Sequence, residues 1–132
     1  MISLPVIDVA KSVDFYSAIG FVRNNKFPGD RAAHMVLSDA ISVMLISHFM
    51  WKEFTTREIP DAKKVAQVGF ILSCESKHAV DTMIESGEKA GGTADPNPIE
   101  DFEGMYGRGL EDPDGHIWEA KWMSAACIPQ EQ

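Results

Sequence analysis

An apolar run, a polar capping residue, an amphipathic stretch and a glycine stop occur twice along this chain, in the same order. In the first copy Ile2 to Val6 reads as a strand. Asp8 can accept from the free amides of a helix start, Val9, Val13, Tyr16 and Ile19 fall at helical spacing, and Gly20 ends the helix. In the second copy Gln67 to Cys74 is the strand and Ser76 the cap. Ala79, Val80, Met83 and Ile84 form the apolar face, and Gly91-Gly92 is the stop. An offset of 67 residues places Asp8 on Glu75, Val13 on Val80 and Asp14 on Asp81, whereas Gly20 meets Gly91 at an offset of 71. The difference is about one helical turn, so the second helix should be one turn longer. A duplicated strand–helix unit implies a fold of two similar halves.

Three strands complete each half. Phe21 to Phe27 and Ala32 to Leu37 read as strands around the Pro28-Gly29-Asp30 turn, and Ile41, Val43 and Leu45 alternate as a half-buried strand does. In the second half a short strand is expected near Thr93 and Ala94. Met105 to Leu110 and His116 to Met123 follow around the Asp112-Pro113-Asp114-Gly115 turn. Between the halves, His48 to Lys64 suggests a short amphipathic helix and a loop.

The net charge of −8 repels phosphate backbones and anionic headgroups, which sets nucleic-acid and membrane partners aside. Cys74 and Cys127 stand far apart and form no metal-type pair. No run approaches the roughly 20 apolar residues of a membrane span, and the first residues lack the basic and apolar regions of a signal peptide. A reduced, soluble, cytoplasmic protein is expected.

LPVIDVAKSVDFYSAIGF resembles the opening signature of the glyoxalase/bleomycin-resistance/dioxygenase (vicinal oxygen chelate) superfamily, and EDPDGHIWEAKW resembles its closing hairpin. MYGRGLEDPDGHIWEAKWM is most similar to predicted lactoylglutathione lyase-like proteins. The resemblance implies an α+β fold of two βαβββ modules, each curling a mixed sheet around a concave pocket. The whole chain, 1–132, would be one domain: module 1 at about 1–47, a linker or lid at about 48–64, module 2 at about 65–123 and a tail at 124–132. Many members dimerise, so a homodimer is expected.

Members that are enzymes hold a divalent ion on the first and last strands of each module, often with a His seven residues before the opening Asp. Here that position is Met1, whose thioether suits a hard ion poorly. Its counterpart in module 2 is Val68, with Gln67 and Gly69 on either side, and Ile41 to Ser47 offers no carboxylate or imidazole. Glu119, four residues after Gly115, is the one remaining candidate, as metal ligand or as catalytic base. Zinc ordinarily needs three or four ligands. Of the histidines, His78 should face solvent, His116 should diverge from Glu119 by strand alternation, and His34 and His48 have no readable direction.

The candidate pocket wall comprises Ser3, Met44, Ile71, Tyr106, Arg108 and Ile117 from strands, with Trp51 from the linker. Tyr106 and Arg108 share a strand face. Turned inward, Arg108 would grip a carboxylate or phosphate; turned outward, it is one more solvated charge. Phe49, Met50, Trp51 and Phe54 form a lid, a dimer contact or a cap on the core. Trp118 and Trp122 are expected as core, Cys74 as an inert strand residue, and Asp112 and Asp114 as turn formers. No phosphate loop, nucleophile elbow or HExxH motif occurs.

Two functions follow. One is a cofactor-free module that holds a small organic molecule in the concavity. The alternative is a lactoylglutathione lyase-like lyase or isomerase, or a dioxygenase, using Zn, Ni, Mn or Fe with Glu119 and ligands from His34 or a second subunit.

Overall fold

A computed structural model describes residues 1–128 of the chain. Alternating runs build the first sheet. β1 (Ile2–Val6) pairs in parallel with β4 (Ser42–Ser47), β4 pairs antiparallel with β3 (Ala32–Val36), and β3 with the two-residue β2 (Val22–Arg23). The second sheet repeats this order. β5 (Gly69–Ser73) lies parallel to β9 (Ile117–Met123), then come β8 (Met105–Glu111) and β6 (Thr93–Ala94), with β7 (Glu100–Phe102) also paired to β8. The parallel pair within each sheet is bridged by a crossover that carries a helix, as parallel pairing requires.

The helices are α1 (Val9–Ala18), α2 (His48–Phe54) and α3 (Lys77–Lys89). Asp8 accepts from Lys11 N and Ser76 from Ala79 N, so each crossover helix starts on a side-chain cap. Each ends just before a glycine with positive φ, Gly20 at 110° and Gly91 at 102°, where a side chain would be strained. β5 begins 67 residues after β1, and α3 has 13 residues against the 10 of α1. The duplication therefore extends to the longer second helix.

Two elements differ from the sequence reading. The run Phe21 to Phe27 is strand only at Val22–Arg23. Asn24 turns the chain, its Oδ1 accepting from Lys26 N at 3.0 Å and its carbonyl from Phe27 N at 3.1 Å. The strand β7 had no counterpart in the expectation. It hairpins onto β8 through Glu103-Gly104, where Gly104 has φ 79° and Phe102 faces Met105. Of the tail, Ala125–Cys127 forms a 3-10 turn, and 129–132 lie outside the described residues.

One core serves both sheets. Leu4, Val6, Val43, Leu45 and Met35 from the first sheet meet Phe15 and Tyr16 of α1, and the cluster continues through Val80, Ile84, Leu110 and Trp118. Tyr16 and Trp118 stack edge to face at 5.8 Å, joining α1 to β9. Trp122 is only half-buried at the margin of this cluster. The β8–β9 turn is fastened to the first half. Asp112 accepts Asp114 N and His116 N, each at 2.9 Å; Asp114 accepts Ile7 N at 2.7 Å; and His116 Nε2 donates to the Pro5 carbonyl at 2.8 Å. The closing DPDGH segment thus joins the two halves, which agrees with reading Asp112 and Asp114 as turn formers.

Candidate functional site

Strand alternation divides the first sheet into two faces. Ile2, Leu4, Val6, Val43 and Leu45 point to the helices, leaving Met1, Ser3, Pro5, Ser42, Met44 and Ile46 on the opposite, concave face, with Ala32 and His34 beside them on β3. Over that face lies α2. It starts where β4 ends, because Ser47 closes the strand and also caps the helix, its hydroxyl accepting from Met50 N at 3.2 Å. The i, i+4 pair Met50 and Phe54, with Trp51 between, turns toward the sheet. A cavity of about 420 Å³ results, lined by Met1, Ser3, Phe27, Ala32, Met44, Ile46, Met50, Trp51, Phe54 and Thr55. Its wall is almost wholly apolar, rich in thioethers and rings that adapt to flat guests.

Ser3 and Trp51 also border a second cavity of about 320 Å³, which reaches Val65 to Val68, just before β5, and Ile117 of β9. Of the expected wall residues, the structure thus brings Ser3, Met44, Trp51 and Ile117 to two adjoining cavities. Ile71 lies on the corresponding face of the second sheet, beside Glu119 in register, and is 60% exposed. Phe49 projects away from the cavity, 73% exposed, beneath the Arg31 guanidinium at 5.3 Å. None of the four linker residues belongs to the core, so core capping is not their role.

Tyr106 and Arg108 are elsewhere. Both lie on the helix face of β8, where Tyr106 Oη donates to Asp81 at 2.8 Å and Arg108 Nη1 donates to the same oxygen at 3.0 Å. Arg108 also grips Asp95 with Nε at 3.0 Å and Nη2 at 2.6 Å. The bidentate Asp95 contact, supported by Asp81, raises the guanidinium pKa above its ordinary value, and the Tyr106 hydroxyl is foremost in lowering that of Asp81. Arg108 is therefore neither a ligand clamp nor a solvated charge; it ties β8 to α3 and to the segment after β6. The concave face of β8 carries Gly107 and Gly109 instead.

Glu119 occupies a small cleft of about 90 Å³ with Asn97, Pro98, Glu100, Gly107, Gly109 and Ile117. Its carboxylate lies across Gly107, where an added Cβ would come within 2.9 Å of Oε1. Lys121, two residues on and so on the same face, places Nζ 3.3 Å from Glu119 and 3.2 Å from Glu100. Burial pulls the lysine pKa down, but the two carboxylates outweigh burial and hold it above its ordinary value. A fixed ammonium in contact with Glu119 opposes a divalent cation there.

The remaining donors do not converge on Glu119. Met1 is 74% exposed at the rim of the apolar cavity, and Val68 has no donor atom. His116 is engaged by Pro5, and His78 is exposed. His48 opens α2 on a separate cleft lined also by Asp61 and Asp114. His34 belongs to the first sheet, opposite Met44. Among the described residues no group of three or more His, Cys, Asp or Glu could hold a metal ion. These side chains do not fit the superfamily's divalent ion within one chain. Cys74 is half-buried and its thiol pKa is raised by burial, against a nucleophilic role.

Sequence reasoning missed Phe27, Ala32 and Ile46 as wall residues, and Lys121 and Glu100 as partners of Glu119, whereas Met50 and Phe54 line the cavity as the lid reading expected. Alternation from Glu119 would have found Lys121; Glu100 required β7. A further cavity, of about 530 Å³, lies between the start of α1 and the end of α3, beside Asp114. Its acidic groups are partly spent, Asp8 as a helix cap and Asp114 on Ile7 N. No helix is long and apolar enough to cross a membrane among the described residues.

Residues 1–120 match the family model described as Glyoxalase/Bleomycin resistance protein/Dioxygenase superfamily. Among solved structures, a hypothetical protein from S. aureus superposes with a TM-score of 0.76 at 22% identity, covering 94% of this chain and 91% of that one. A glyoxalase/bleomycin resistance protein/dioxygenase family enzyme from Burkholderia phytofirmans gives 0.72 at 16% identity, covering 92% and 95%. The fosfomycin resistance protein FosX from Mesorhizobium loti gives 0.66 at 13% identity, covering 95% and 91%. At these identities the likeness is one of fold. No curated protein matches the chain.

Proposed function

From the premise that this chain belongs to the Glyoxalase/Bleomycin resistance protein/Dioxygenase superfamily, we propose that it binds a small, largely apolar organic molecule under α2 without using a divalent ion. The observation that carries this reading is the pairing of Glu119 with Lys121. The one strong donor at an expected metal position is already neutralised, at 3.3 Å, by a side chain of its own strand. The apolar cavity lies in the other module, lined by Met44, Ile46, Met50, Trp51 and Phe54, and offers no general base. Its size falls within the range of about 300–1,000 Å³ common for small-molecule sites. A cytoplasmic setting suits the two free cysteines. A homodimer suits the exposed Ile71 and Val68 at β5, apolar groups that a second copy would cover.

The test is metal analysis of protein purified from medium supplemented with Zn, Ni, Mn and Fe, paired with turnover of the glutathione hemithioacetal of methylglyoxal. Sub-stoichiometric metal, unchanged in Glu119→Ala, and no turnover are expected. Near-stoichiometric metal lost in Glu119→Ala, with metal-stimulated turnover, establishes the lactoylglutathione lyase-like alternative instead.

A further inference from the structure

The two adjoining cavities share a border and differ in character. Ser3 and Trp51 line both, so a guest under α2 meets the second cavity at those two side chains. The cavity under α2, about 420 Å³, carries no charged, amide or imidazole side chain. The second, about 320 Å³, is also apolar along Leu4, Val65, Val68 and Ile117, but adds Gln67 and His116. It lies between the modules, since Leu4 belongs to β1 and Ile117 to β9.

Only one nitrogen of the His116 ring is committed to the fold. Nε2 lies 2.8 Å from the Pro5 carbonyl, which can only accept, so Nε2 carries the proton and Nδ1 of the neutral ring is an acceptor. Nδ1 has no hydrogen-bond partner in the protein, and it is not a buried atom: among the described residues, the one buried side-chain N or O without a partner is Nε2 of His34. Nδ1 is therefore accessible on a ring that borders this cavity and the cleft beside His48.

We propose that one guest occupies both cavities: an elongated molecule with a flat aromatic body and a short chain that ends in a hydroxyl group. The inference rests on the apolar-cavity reading above and adds the shape and the polar end of the guest. The rings and thioethers under α2 take the aromatic body. The chain passes Ser3 and Trp51 and buries its methylenes against Leu4, Val68 and Ile117. Its hydroxyl donates to His116 Nδ1, the acceptor that no protein group uses.

Three probes test this: naphthalene, 2-pentylnaphthalene and 4-(2-naphthyl)butan-1-ol. The last two are matched in size and differ by a terminal methyl against a hydroxyl. Each should bind as a single molecule per chain. Naphthalene should shift the methyl signal of Met50 and leave those of Val68 and Ile117 in place, whereas both chain-bearing probes should shift all three. Only the alcohol should move the His116 Nδ1 nitrogen signal. In Ala66→Trp, which narrows the second cavity alone, the chain-bearing probes should lose about tenfold in affinity, the equivalent of about 1.4 kcal/mol. Naphthalene should be little affected by that substitution. Chain-bearing probes that shift Met50 and leave Val68 and Ile117 unmoved, or that bind as two molecules per chain, overturn the single elongated guest and leave the cavity reading intact. A His116 signal that the bound alcohol does not move overturns its hydroxyl end. If none of the three probes binds, the cavity reading and this inference fall together.

Discussion

Tyr16 and Asp112 meet hydroxyl to carboxylate at 2.6 Å, 96 residues apart in sequence, while the same hydroxyl accepts from Trp118 Nε1 at 2.9 Å. This three-residue relay links α1 of the first module to the turn and last strand of the second. Burial pushes the Tyr16 hydroxyl pKa well above its ordinary value. Tyr16→Phe leaves two buried polar groups without their partner. It should lower stability by about 1–3 kcal/mol, measured by urea unfolding. A loss under about 0.3 kcal/mol would show that the relay is dispensable.

Burial also raises the Asp112 carboxyl pKa above its ordinary 3.8, although His116 and Tyr16 pull the other way. The folded state therefore binds this proton more tightly than the unfolded chain. The stabilising contribution is complete below the unfolded value and is lost as pH rises through the folded one. Subtracting the stability of Asp112→Asn from that of the parent protein should give a difference that declines as pH rises above 3.8. A difference that grows with pH would contradict the burial argument.

Arg108 should matter for stability and not for binding. Arg108→Lys keeps the charge but loses the fork on Asp95. It should cost on the order of 1–2 kcal/mol in denaturant unfolding, while affinity for naphthalene, a probe of the apolar cavity under α2, stays within twofold, about 0.4 kcal/mol. A large loss of affinity with intact stability would return Arg108 to the pocket.

Trp51→Ala should do the reverse. Trp51 borders both apolar cavities and lies outside the core, so the melting temperature should barely move. Affinity for naphthalene should fall by about tenfold or more, as removal of a large aromatic contact implies.

Ile71→Asp places a charge on the open face of β5, where Ile71 is 60% exposed. If a second copy covers this face, light scattering should show the parent protein as a dimer and the variant as a monomer. A monomeric parent protein would overturn the dimer reading, and a dimeric variant would locate the interface elsewhere.

The sequence carried the fold in its periodicities. Asp8, Gly20, Ser76 and Gly91 mark the two crossover helices without reference to anything distant, because capping and left-handed stops are local chemistry. The site was less legible. Ser3 and Met44 follow from alternation along single strands, but the orientation of Tyr106 and Arg108 depends on Asp81 and Asp95, partners in two other segments. A strand's two faces are equivalent until tertiary packing assigns one to the helices.

The strands β1 and β4 give alternate side chains to the interior and to the apolar cavity: Leu4 and Leu45 inward, Ser3 and Met44 outward. Ligand preference can therefore drift by substitution at every second residue while the intervening residues keep the scaffold fixed. Insertion or deletion is another matter. One residue gained or lost inside β4 would exchange the two sets, exposing Val43 and Leu45 and burying Met44, so that stability and specificity would fail in a single step.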